Sequence, residues 1–234
     1  MVAEKEGRMR QNAKLTLVAL LFVCIGFATT RSKVSAGSHF VAPSLTAASD
    51  IPYPFENIAS GLVSLAVNVD PGGHVQNVQV VRDIPGLTAA ATSAVNTWSF
   101  SPGRMDGNQI ASTINVQIVF NPGTLQSQGL QLPPGALVTP PLPAGYMPPQ
   151  MAQAFYAVYP PNSVATGAVV LDLLINKYSE VKKVTPVRSV LSLTEQAIAS
   201  VKTWTINPAT MNEKKMDVDL VVAFVFRAPS NSTP

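Results

Sequence analysis

From Val63 to Val69 the chain alternates: Val63, Leu65, Val67 and Val69 point one way, Ser64, Ala66 and Asn68 the other. A period of two marks a strand with one face buried. Asp70-Pro71-Gly72-Gly73 then supplies turn chemistry, its glycines free to take positive φ, and Val75 to Arg82 returns as a second strand. The period next lengthens, with Leu87, Ala91, Ala94, Val95 and Trp98 on one face of a helix. Pro102 is expected to keep that helix from running on. Alternation resumes at Ile114, Val116, Ile118 and Phe120, a closing strand.

The same pattern recurs 106 residues later. That shift lays Tyr53-Pro54 on Tyr159-Pro160, Gly61 on Gly167, and Val63 and Leu65 on Val169 and Leu171. It also lays Arg82 on Arg188, Leu87-Thr88 on Leu193-Thr194, Trp98 on Trp204, Pro102 on Pro208 and Phe120 on Phe226, without a gap. Both tryptophans of the chain are matched to each other, which duplication explains and chance does not. In the second copy Leu193, Ala197, Val201 and Trp204 repeat the helical stripe, and Ser192 with Glu195 has capping-box spacing. Its closing strand buries Leu220, Val222, Phe224 and Phe226. The pattern predicts an α+β fold: two tandem small modules, each a three-stranded antiparallel sheet with one helix packed on one face, after an N-terminal hydrophobic helix.

The expected boundaries are a signal or anchor segment at 1–36, a short linker at 37–50, module one at 51–121, a Pro-rich linker at 122–150, module two at 151–228 and a tail at 229–234. The linker contains Pro133-Pro134-Gly135 and Thr139-Pro140-Pro141-Leu142-Pro143, an extended, semi-rigid composition.

Outward positions differ between the copies. In the first closing strand they are Thr113, Asn115, Gln117 and Val119, mostly suited to water; in the second they are Asp219, Val221, Ala223 and Val225. Ser64 and Asn68 likewise become Val170 and Leu174. A sheet apolar on both faces needs a cover. Three covers stay open: the other module, the segment 147–158 whose Met151, Phe155 and Val158 have helical spacing, or a second chain in a homodimer or complex. Val221→Asp and Val225→Asp are expected to be damaging, Asn115→Asp and Gln117→Asp tolerated.

Lys5, Arg8, Arg10 and Lys14 precede an apolar run from Leu15 to about Thr30, followed by Arg31 and Lys33. That run of about 15 residues lies between a signal-peptide core and a full membrane span. A retained anchor and a cleaved signal both stay open, and both put the remainder on the far side of the membrane from the cationic end. The lone cysteine, Cys24, lies inside the run, so no intrachain disulfide or thiolate metal cluster is available.

A net charge of +3 and no basic run with interleaved aromatics give nucleic acid no purchase. Catalysis finds little either. His39 and His74 are far from any nucleophile motif or metal-ligand spacing, Asp217 and Asp219 read as a solvated strand face, and no phosphate loop is present. No enzyme activity, cofactor or metal is expected.

The order Tyr-Pro, Gly, alternating strand, Asp-x-x-Gly, helix ending Trp-x-Phe-x-Pro, and closing strand resembles the TonB C-terminal domain family. In the first copy the residues are Tyr53, Pro54, Gly61, Asp70 with Gly73, Trp98-Ser99-Phe100-Ser101-Pro102 and Phe120. The second keeps Tyr159, Pro160, Gly167, Trp204 and Pro208, but has Asn176 and Ser179 in the turn and Ile206 in place of the phenylalanine. The resemblance implies an envelope protein on the periplasmic side of an inner membrane, or free in the periplasm or secreted after cleavage. It implies protein partners, an outer-membrane receptor or other envelope component, engaged by strand addition at a free sheet edge. The candidate partner-binding strands are the closing ones, through Thr113, Asn115, Gln117, Val119, Asp219, Val221, Ala223 and Val225. Two roles follow from it: a part in energy-coupled transport across the envelope, or a protein-interaction module without energy coupling. Against the first, family transducers resemble one another in a membrane-helix histidine that Leu15–Thr30 lacks.

Overall fold

The computed structural model describes residues 39–54, 59–123, 128–132 and 142–227. The expected N-terminal helix, the signal or anchor segment and the tail lie outside the described residues.

The first repeat runs β1 (Phe40–Val41), β2 (Ser44–Ala47), β3 (Gly61–Val69), β4 (Val75–Arg82), α1 (Thr88–Val95), β5 (Ser99–Ser101), β6 (Gly103–Met105), β7 (Asn108–Ile110) and β8 (Ser112–Asn121). The second runs β9 (Tyr146–Met147), β10 (Gln150–Gln153), β11 (Gly167–Ile175), β12 (Val181–Arg188), α2 (Thr194–Val201), β13 (Thr205–Asn207), β14 (Ala209–Met211), β15 (Lys214–Met216) and β16 (Val218–Phe226). Every element begins 106 residues after its counterpart, so the repeat reaches back to Phe40 and Tyr146, into stretches that read as linker. Small sheets recur with it: β2 pairs β5 as β10 pairs β13, and β1 pairs β6 as β9 pairs β14. Part of the Pro-rich stretch also returns to the body, where Leu130 donates to the Ala154 carbonyl and Tyr156 to that of Gln128.

The expected pair of separate three-stranded α+β modules is not what forms. The fold is mostly β, and the two main sheets are one mixed sheet of six strands, ordered β12-β11-β16-β8-β3-β4. The join is the parallel pairing of the two closing strands, β8 and β16. Residues opposite each other there differ by 105, as Val221 does from Val116, one short of the repeat. Side chains alternate along a strand, so a one-residue offset exchanges faces. The inward face of one repeat is therefore continuous with the outward face of the other, and α1 and α2 lie on opposite sides of the sheet.

That exchange explains the outward valines. Val170, Val221, Ala223 and Val225 are wholly buried in the first repeat's core, with Val63, Val116, Leu87 and Trp98. The cover is the first repeat itself. Reciprocally, Leu62 and Val119 enter the second core, with Trp204, Leu193 and Phe224. Thr113, Asn115 and Gln117 were expected to be wet and are instead buried, because the second repeat lies over that face. Their polarity is met by neighbours: Ser64 Oγ bonds Gln117 Oε1 at 2.7 Å, and Thr113 donates to Asn68 Oδ1 at 3.0 Å. Asp50 of the first repeat fastens the second, accepting from Ala168 N at 2.9 Å and pairing with Arg188 at 3.2 Å.

Other local expectations are revised. The segment 147–158 forms β9 and β10 rather than a helix. The capping box does not form: Leu193 is the cap, Ser192 sits at φ 67° and bonds Ser163, and Thr194 Oγ1 accepts from Val190 N at 2.9 Å. Thr88 makes the same bond to Ile84 N. Helix α1 ends at Val95, well before Pro102, which sits at the corner between β5 and β6; Pro208 sits between β13 and β14.

Candidate functional site

A mixed sheet presents pairing groups to solvent only along its outer strands. The closing strands, expected to offer edges, lie in the middle. β8 is paired to β3 and β16, and β16 to β11 and β8. The parallel pairing covers Val116–Asn121 and Val221–Phe226, so Gln117, Val119, Val221, Ala223 and Val225 have strands on both sides, while Thr113, Asn115 and Asp219 lie just before the paired stretch of the same inner strands. The sheet's edges are β4 and β12, which among the described residues pair on one side only.

Both edges have the same geometry. Each bends at two bulges, at Gln76 and Val81 in β4 and at Lys182 and Val187 in β12. Between them runs a regular window, Asn77–Val80 against Asn68–Leu65 in one repeat and Lys183–Pro186 against Leu174–Leu171 in the other. In β4, Val78 and Val80 share the α1 face with Leu65 and Val67, while Asn77 and Gln79 point to the opposite face. Val78 packs on the first core, and Val80 is 47% exposed.

The motif residues hold these edges rather than line them. Tyr53 donates its hydroxyl to the Ala59 carbonyl, and Tyr159 donates to that of Ala165 at 2.8 Å. Their rings lie against Phe120 and Phe226, the last core residues of the closing strands. Pro54 and Pro160 follow directly, and Gly61 and Gly167 come seven residues after each. Those glycines open β3 and β11 at φ 140° and 122°, and a Cβ on Gly61 would press on Ile84. In the turns, Asp70 Oδ1 accepts from Gly72 N and His74 N, and Asn176 does the same with Tyr178 N and Glu180 N. Those backbone bonds, with His74 beside it, hold the Asp70 carboxyl below the usual range. Gly73 lies against the Phe100 carbonyl, where a Cβ would meet it at 2.2 Å; Ser179 keeps the positive φ at 74°. Trp98 and Trp204 are buried core anchors.

One titrating pair escaped the sequence reading. Asp172 on β11 and Asp219 on β16 share the outward face of the second repeat, where Asp172 Oδ1 is buried with no hydrogen-bond partner among the described residues. Burial, then the charge of Asp219, push Asp172 up to about 7, against the pull of Lys183. Burial likewise raises Asp219, and burial with Asp219 nearby raises Tyr146. A carboxylate at a strand position where its counterpart is Ala66 was the available signal. His39, just before β1, lines one cavity with Asp219, whereas the exposed His74 lies in the β3–β4 turn beside Asp70.

The two outer strands carry backbone N–H and C=O groups along their outer sides, the chemistry that strand addition uses. Residues 56–122 match the family model of the Gram-negative bacterial TonB protein C-terminal, so the first repeat is similar to the domain of that family. That family is known for protein–protein interaction. No curated protein and no solved structure matches the chain.

Proposed function

We propose that this protein is a non-enzymatic binding module of the cell envelope, held on the periplasmic side or released there. It captures an extended segment of a partner protein, an outer-membrane receptor or another envelope component, by adding it as a strand to the six-stranded sheet. The observation that carries this is the pair of outer strands, β4 and β12, each paired on one side only among the described residues. Strand addition draws its affinity from backbone N–H and C=O groups, which such an edge supplies in register and at no cost in ordering. The TonB C-terminal match over the first repeat supports the same reading. Coupling to energy-driven transport is the finer form of the proposal, and an interaction module without coupling is its alternative.

A photo-activatable residue at position 79, on the sheet edge, tests it in intact cells. Irradiation should yield an adduct with an envelope protein, whereas the same residue at Lys215, on the exposed β14–β15 hairpin, should not. Adducts of equal yield from both positions, or from neither, would sink the proposal.

A further inference from the structure

The duplication provides an internal comparison, because the two edges began as the same strand. Their present residues differ in one direction. Gln76, Asn77 and Val80 of β4 correspond to Lys182, Lys183 and Pro186 of β12. Lysines and prolines on an outer strand are devices that oppose pairing: the ammonium must be desolvated by an incoming strand, and proline has no N–H to offer. Pro186 falls inside the regular window of β12, as Lys183 does, and Lys182 occupies the adjoining bulge. Arg188 at the end of that strand is engaged with Asp50, so its charge remains at the edge without serving a ligand. The window of β4 has neither charge nor proline, and Gln76, Asn77, Gln79 and Val80 are exposed.

We propose that only the β4 edge binds: each chain takes one partner strand, alongside Asn77–Val80, and β12 is closed. This rests on the strand-addition reading above and narrows it to one site and one kind of ligand. A window of four residues spans ~13 Å, so four or five residues of the partner pair there. Side chains of an added strand continue the alternation of its neighbour. Those on the α1 face meet Val78 and Val80 and should be apolar, while those on the other face meet Asn77 and Gln79 and should be neutral and polar. The partner segment is thus an uncharged stretch of alternating apolar and polar residues without proline. A single open edge also fits a protein that must not polymerise, since two open edges would let sheets extend from both sides.

The probe is a capped pentapeptide, Thr-Val-Gln-Val-Thr, titrated into the full chain, with binding followed by calorimetry and by backbone amide exchange. One peptide per chain should bind and slow exchange in β4. Carrying the β12 residues into β4, as Q76K/N77K/V80P, should weaken binding by at least about tenfold, and N77K alone, which leaves the fold intact, should weaken it measurably. The reverse change, K182Q/K183N/P186V, should create a second site. Unchanged stoichiometry in the reverse variant together with unchanged affinity in both β4 variants would overturn the choice of edge. A peptide N-methylated at alternate amides separates the two levels: if it binds as well as the parent, backbone pairing itself is wrong. Sedimentation supplies the remaining outcome. A wild-type dimer that N77K dissociates and the pentapeptide does not displace would mean a second copy occupies the edge, overturning the assignment to a partner strand.

Discussion

Trp98 and Trp204 occupy equivalent places and differ in what the indole N–H meets. The Trp204 indole donates to the Phe155 carbonyl at 3.2 Å and to Ser200 Oγ at 3.3 Å, whereas Ala94 replaces that serine in the first repeat and Trp98 Nε1 has no partner among the described residues. Truncation to alanine should cost about 3–5 kcal/mol at either site, from lost contact and the cavity left behind. Phenylalanine should separate them. Trp204→Phe forfeits a made hydrogen bond and Trp98→Phe does not, so the first should be worse by roughly 1 kcal/mol in denaturant melts. Equal costs would mean the indole donor is immaterial in both. Asp172 gives a second test at this scale. Its folded pKa, about 7, lies above the ordinary 3.8, so the stability it contributes is complete below about pH 4 and is lost as pH rises through 7. Asp219 shifts in the same direction. Thermal melts should show a midpoint that falls from pH 5 to pH 8, and Asp172→Asn should flatten that slope and stabilise the protein at pH 8. Asp70, shifted downward, acts only in more acid solution. A wild-type slope retained by Asp172→Asn would remove the carboxyl from this role.

At the scale of elements, β8 shows how position outweighs composition. Thr113, Asn115 and Gln117 have the polarity of a solvated face yet lie at the centre of a six-stranded sheet under another core. Each polar group buried there needs a partner, which Ser64 provides for Gln117. Asn115→Asp and Gln117→Asp should therefore destabilise by about 2–3 kcal/mol, since each buries a charge where an amide fitted. Gln79→Asp, on the exposed outer strand, should stay within about 0.5 kcal/mol. Chemical denaturation of the three variants checks this, and a tolerant Asn115→Asp and Gln117→Asp pair would put water on that face.

For the whole molecule, the consequence of face exchange is that neither repeat has a complete core alone. Val170, Val221, Ala223 and Val225 belong to the second repeat by sequence and to the first repeat's core by contact. Residues 38–234 should accordingly unfold in one cooperative step, despite an internal duplication and a Pro-rich stretch between the copies. Val221→Asp, an unpaired charge in a dry site, should destabilise by at least about 3 kcal/mol and shift that single transition. Two resolved transitions in calorimetry, only one of them moved by Val221→Asp, would show independent modules.

What the sequence determined by itself is everything whose cause is local. Alternation placed β3, β4, β8 and their copies, the helical stripe placed α1 and α2, and turn chemistry placed Asp70 and Asn176, because each depends on residues a few positions apart. The family resemblance was legible for the same reason, since Tyr53, Gly61 and Trp98 fix the geometry of a single repeat. The short strands β1, β2, β9 and β10 were not, because two to four residues are too few to establish a period. The tertiary structure alone decided how the repeats meet. A 105-residue register against a 106-residue repeat turns one module over, hides the closing strands, buries Asn115 and Gln117, and leaves β4 and β12 outermost. Single-chain alternation has no term for a pairing offset between distant strands, so face and edge had to come from the packing of one repeat on the other.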